Sequence, residues 1–110
     1  MGAFMDPFAM KMINEANEQI QANPKDSRAY NQRGQAYGIL GHYQQSVEDF
    51  TVSITLSPNV GAYINRGFEH YQAGERGKAI DDFRMAVKLD PNDQGNRFLQ
   101  QALAGVDQLT

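Results

Sequence analysis

The chain of 110 residues is one domain's worth of sequence, long enough to bury about 60–70% of its unfolded surface. Ten Lys and Arg against thirteen Asp and Glu give a net charge of −3, which leaves no polycationic footprint for nucleic acid. The lack of cysteine excludes disulfide and thiolate chemistry, and no apolar run approaches the roughly 18 residues that cross a bilayer.

Residues 1–7 mix small and apolar side chains without a period and read as a disordered or expression-derived N-terminus. No basic stretch followed by an apolar one is present, and Asp6 sits where a myristoylation motif needs Ser or Thr. A cytoplasmic protein is the expectation. From there one domain is expected over residues 8–110. Ala9, Met12, Ile13, Ala16 and Ile20 recur at helical spacing and predict a helix over 8–22, ended by Asn23-Pro24. Asp26 or Ser27 suits the N-cap of a helix reaching about Leu40, and Gly41 suits its left-handed stop. Helical periodicity resumes from Tyr43 to Leu56 and breaks at Ser57-Pro58-Asn59. A further helix is expected near Val60–Ala73 with Gly74 as its stop, and another over Arg76–Leu89. Asp90-Pro91-Asn92-Asp93 repeats the break, with Asp93 as N-cap of a last helix over 93–109. Val52, Ile54 and Leu56 alternate, but they share the helical phase of their neighbours, so no strand is assigned there.

Two stretches of this chain say the same thing. Ala29-Tyr30-Asn31-Gln32-Arg33-Gly34 reads against Ala62-Tyr63-Ile64-Asn65-Arg66-Gly67, and Val47-Glu48-Asp49-Phe50 against Ile80-Asp81-Asp82-Phe83. Pro24 and Pro58 are 34 positions apart, Pro58 and Pro91 33, with the missing residue falling in a turn. A helix–turn–helix unit at a period near 34 resembles the tetratricopeptide repeat. The residues that carry the resemblance are Tyr30, Gly34, Tyr37, Gly41, Tyr43, Phe50 and Pro58 in the first unit. In the second they are Tyr63, Gly67, Gly74, Ala79, Phe83, Ala86 and Pro91. The resemblance implies an all-α, α-α superhelix of about six antiparallel helices. Its parts would be a flanking helix (8–22), repeat 1 (26–58), repeat 2 (60–91) and a capping helix (93–109). A glycine in mid-helix costs about 0.5–1 kcal/mol relative to alanine, so Gly34 and Gly67 at one phase predict close approach of a neighbouring helix. Ala79 and Ala86, matched by Ser46 and Ser53, predict the same on the second helices. Phe50 and Phe83 are expected as large side chains filling the space between helix pairs. Arg33 and Arg66 stand where the family usually has leucine, and Asp49 and Asp82 recur beside the phenylalanines. Arg33–Asp49 and Arg66–Asp82 pairs are therefore expected within each unit.

For function, the resemblance implies a non-enzymatic module that binds a peptide or helix of a partner protein in a concave groove lined by the first helix of each repeat. On the first unit that wall is polar, with Arg28, Asn31, Gln35 and Gly38. On the second, Ile64, Phe68 and Tyr71 form an apolar stripe at i, i+4 and i+7, with Asn65 beside it. The stripe has two uses: a pocket for a partner, or packing against Ile39 and Phe98. Some family members grip the C-terminal carboxylate of heat-shock chaperones with a lysine–asparagine–arginine clamp. Asn65 matches one asparagine of that clamp, but Asn31, Gln35, Gly95 and Leu99 replace its other members, so the clamp is expected to be missing. His42 and His70, with no cysteine, make no zinc site, and no phosphate loop or nucleophile elbow occurs. No catalytic residue, metal or cofactor is expected. The apolar N-terminal residues Phe4, Met5, Phe8 and Met12 suggest an alternative function, self-assembly by stacking or helix exchange into a homo-oligomer.

Overall fold

The computed structural model describes residues 6–93, 99–100 and 103–104. Five helices occupy most of them: α1 (Pro7–Ala22), α2 (Ser27–Ile39), α3 (Tyr43–Leu56), α4 (Val60–Gln72) and α5 (Arg76–Leu89). Among the described residues there is no strand. The first three helices belong to one compact unit, Met1–Pro58, and α4 and α5 to a second, Asn59–Thr110. Of the helix expected over 93–109, Leu99, Gln100, Leu103 and Ala104 are helical, and both leucines are buried. Its start, and with it the capping role expected of Asp93, lies outside the described residues.

The helix ends follow local chemistry. Asp6 accepts from the N–H groups of Phe8 and Ala9 at 2.9 and 3.2 Å, ahead of Pro7, whose missing N–H needs no partner in the first turn. Asp26 does the same for Arg28 and Ala29, and Asn59 accepts from Ala62 at 2.8 Å. Asp26, not Ser27, is thus the cap of α2. Gly41 and Gly74 take φ values of +77° and +82°, where any Cβ would be strained. Around them the chain closes in the same way twice. The His42 N–H reaches the Tyr37 carbonyl and the Glu75 N–H the His70 carbonyl, both at 2.8 Å, while each glycine N–H bonds three residues back. Asn23, Ser57 and Asp90 adopt non-helical conformations before a proline and end α1, α3 and α5.

Packing within the first unit begins with Ala9, Ile13 and Ala36, joined by Met12, Tyr37 and Leu40, which seat α1 on α2. The α2–α3 pair closes on Gly34. A Cβ added there would lie 2.7 Å from Cε1 and 2.8 Å from Cδ1 of Phe50, a ring that is 1% exposed. At Gly67 the equivalent distances to Phe83 are 2.5 and 2.8 Å. Both phenylalanines therefore fill a slot inside their own helix pair. The reason is the glycine itself, whose missing side chain leaves room for a ring face. Small residues complete the approach. Ser46 donates from Oγ to the Gly34 carbonyl at 2.7 Å, and Ser27 Oγ lies 2.9 Å from both the carbonyl and the Oγ of Ser53. Ala79 and Ala86 take the places of Ser46 and Ser53 in the second unit and are equally buried.

Candidate functional site

Before a helix can present a face, its other face has to be fixed, and an arginine does this in each unit. Arg33 donates through Nε and Nη2 to the two oxygens of Asp49, both at 2.8 Å. Its Nη1 donates to Asn17 Oδ1 at 2.9 Å, so one guanidinium joins α1, α2 and α3. Arg66 grips Asp82 in the same two-pronged way, at 2.9 and 2.7 Å. Each guanidinium also lies 5.6 Å from the centre of a tyrosine ring one turn earlier, Tyr30 or Tyr63. Both aspartates are 5% exposed, so these pairs belong to the packed interior. Hydrogen bonding to the aspartate holds each arginine's pKa above its ordinary value, against the opposing effect of burial. The Arg–Asp pairs expected from the sequence are both present, and both are bidentate.

With those inner faces engaged, α2 offers Arg28 and Gln35, both exposed, and the half-buried Asn31, along one side. The helix holds no acidic residue, and the carboxylate of the preceding Asp26 is occupied as a cap. Ile39, at the end of α2, is 51% exposed. On α4, Ile64, Phe68 and Tyr71 lie at i, i+4 and i+7. Ile64 is half-buried, Phe68 is 49% exposed and Tyr71 57%. Phe68 meets Phe83 of α5 edge to face, with centroids 5.2 Å apart and planes at 64°. Phe83 is half-buried, whereas Phe50 in the first unit is sealed. Asn65 is half-buried on the same helix. Glu69, also half-buried, has its pKa raised by the loss of solvent around it, and among the described residues no cation pairs with it.

The remaining candidates take structural places. His70 occupies in α4 the position Tyr37 holds in α2 and is 7% exposed. Its Nδ1 is 3.5 Å from Glu75 Oε1 and its Nε2 3.8 Å from Asp82 Oδ2, while Glu75 pairs with Lys78 at 3.0 Å. His42 lies in the turn before α3 and stacks on Tyr37 at 5.9 Å. Among the described residues, no three His, Cys, Asp or Glu side chains are grouped so as to hold a metal ion, and no helix is long and apolar enough to cross a membrane. Of the residues read as a self-association surface, Phe8 is 66% exposed and Met12 packs into the α1–α2 core. Phe4, Met5 and Phe98 lie outside the described residues. Sequence reasoning did not identify Phe83 as part of the α4 surface, because that depends on how closely α5 approaches.

Comparison with known proteins follows the same outline. Among curated proteins no sequence matches. The tetratricopeptide repeat domain of Arabidopsis OM64 has a similar structure, with a TM-score of 0.80 and 27% identity over 94% of this chain and 86% of that one. The first such domain of Spaghetti (RPAP3), solved with the HSP90 peptide SRMEEVD, aligns with a TM-score of 0.70 at 24% identity, over 84% of this chain and 77% of that one. Sequence models of the tetratricopeptide repeat match residues 27–60 and 60–93, which between them hold both glycine slots, both Arg–Asp pairs and both left-handed turns. With two consecutive units matched and its all-α repeat architecture shared with solved domains, the chain belongs to the tetratricopeptide repeat family.

Proposed function

We propose that this chain, a protein-interaction module by its family, holds a segment of a partner protein on the exposed faces of the first helices of its repeats. Arg28, Asn31 and Gln35 would be the polar contacts on α2, and Ile64, Asn65, Phe68 and Tyr71 the contacts on α4. The observation that carries this reading is the stripe on α4. Two large rings, Phe68 and Tyr71, remain about half exposed on a helix whose inner face is already packed and ion-paired. Scattered single apolar residues on a surface need no explanation, but rings in line on one helix face are the geometry of a docking surface. The α2 residues add donors and acceptors suited to a peptide backbone. The Spaghetti domain, of the same fold, is bound to a peptide, which supports a peptide as the kind of occupant.

Self-assembly is the second reading, favoured by Phe8, which is 66% exposed in the first turn of α1. Met12, drawn into the chain's own core, weighs against it. The test is capture of partners from the source cell's lysate on the full chain and on the Ile64→Ser/Phe68→Ser variant, with helicity of both checked by circular dichroism. Loss of a specific partner in a folded variant supports the docking surface. Retention of every partner by the folded variant removes α4 from the reading. Sedimentation over a concentration range tests self-assembly, which a monomer throughout excludes.

A further inference from the structure

Three prolines stop α1, α3 and α5, and the residue before each is different: Asn23, Ser57 and Asp90. The last two hold one place in the repeat. Ser57 has φ −160° and ψ 105°, and Asp90 has φ −146° and ψ 82°. Their N–H groups bond the carbonyls of Ser53 and Ala86, at 3.0 and 3.2 Å. On matching backbone, the second unit thus carries a carboxylate where the first carries a hydroxyl.

Ser57 also stands apart from the other hydroxyls. Ser46 and Ser53 are 0% exposed, and Ser27 is half-buried against Ser53. Thr51 and Thr55 are exposed but lie within α3, each donating to the carbonyl one turn back, at 2.7 and 2.8 Å. Among the described residues, Ser57 is the one serine or threonine that is both exposed and outside a helix. The run from Thr55 to Pro58 is exposed throughout, and it closes the first compact unit.

We propose that Ser57 is a phosphorylation site for a proline-directed serine/threonine kinase, and that the fold accommodates the phosphate as it does Asp90. Pro58 has no N–H, so it suits a kinase pocket that offers no acceptor to the residue after the serine; any other residue would leave its N–H unpaired there. The co-substrate is Mg·ATP. The Ser57 Oγ bonds to the γ-phosphorus, the bond from that phosphorus to the β-bridging oxygen breaks, and ADP leaves. The hydroxyl proton passes to the kinase's catalytic aspartate. The product gains about 1.5–2 negative charges at pH 7. The modification therefore adds, at the end of the first unit, the sign of charge that the second carries permanently.

The test treats the full chain, and a blocked peptide of residues 51–63, with a purified mitogen-activated protein kinase and Mg·ATP. Phosphate incorporation gives the rate, and fragmentation mass spectrometry gives the position. One phosphate per chain is expected, on Ser57, with kcat/KM within about tenfold of the peptide's. Ser57→Ala is expected to abolish it. Pro58→Ala is expected to slow chain and peptide alike at least tenfold, and the peptide keeps that comparison free of any change in fold. The phosphorylated chain and Ser57→Asp are expected to keep their circular dichroism at 222 nm, with Tm within about 5 °C of the parent. Label on Thr51 or Thr55 in place of Ser57, a chain more than tenfold slower than the peptide, a rate indifferent to Pro58→Ala, or no label on either substrate overturns the site. Loss of helicity or a larger fall in Tm on phosphorylation overturns the accommodation.

Discussion

Replacing Gly34 with alanine sets helix propensity against packing. In the middle of α2 the exchange gains about 1 kcal/mol from propensity alone. The new Cβ, however, would lie 2.7, 2.8 and 3.1 Å from three atoms of the Phe50 ring. The ring is 1% exposed and has no space to swing into, so α2 and α3 must separate by several tenths of an ångström. Overpacking of this kind costs about 1–3 kcal/mol. The strain concerns three ring atoms at once, which places it toward the upper end and leaves a net loss of about 1–2 kcal/mol. With a urea slope of about 1–2 kcal/mol per molar, the midpoint should fall by about 1 M. Gly77→Ala is the matched control. Nothing lies within 4 Å of its added Cβ, so it should leave the midpoint unchanged or raise it. Equilibrium urea unfolding followed by circular dichroism at 222 nm reads both. A Gly34→Ala protein as stable as the parent would refute the argument, since the glycine would then be tolerated rather than required. The Gly34→Ala/Phe50→Leu double variant sharpens the point, because its cost should be smaller than the sum of the two singles.

Two further outcomes follow from the charged groups. Asp49→Ala leaves the Arg33 guanidinium facing the packed interior without its two-pronged acceptor, and should cost about 1–3 kcal/mol in the same urea assay. Replacing both partners, Arg33→Leu with Asp49→Leu, should cost less than Asp49→Ala alone; a double variant that is worse would contradict the desolvation argument. Glu69 gives a pH dependence. Burial raises its pKa in the folded state, so folding penalises the charged form; the penalty is missing below the usual carboxylate pKa and grows as pH rises through the folded value. Glu69→Gln should therefore raise Tm at pH 7, with the gain shrinking as pH approaches about 4. A gain independent of pH would point to something other than charge.

Much of this fold could be read from residues whose backbone demands are strict. Gly41 and Gly74 announce left-handed turns, and the three prolines after α1, α3 and α5 announce stops, because few other residues serve there. The Arg33–Asp49 and Arg66–Asp82 pairs could be read from recurrence at one spacing of 16 residues. What escaped reading depended on distances between helices. That each phenylalanine ring lies against the glycine of its own pair is one such distance, because nothing in the spacing of the phenylalanines distinguishes that slot from other buried places. Ser27 resembled a cap by type, yet its hydroxyl turns to Ser53, 26 residues away, and leaves the capping to Asp26. For the candidate site, helical spacing alone identified the stripe of Ile64, Phe68 and Tyr71. That Phe68 rests edge-on against Phe83 requires α5 to be in place.

Leucine at the position of Arg33 would hold two helices together at almost any small displacement, since dispersion forces do not specify register. A guanidinium fork meeting a carboxylate does. Sliding α3 along α2 by a single residue moves Asp49 about 1.5 Å along the axis and about 100° around it, which breaks both bonds at once. Each hairpin is therefore keyed: its helices mesh at one setting or come apart.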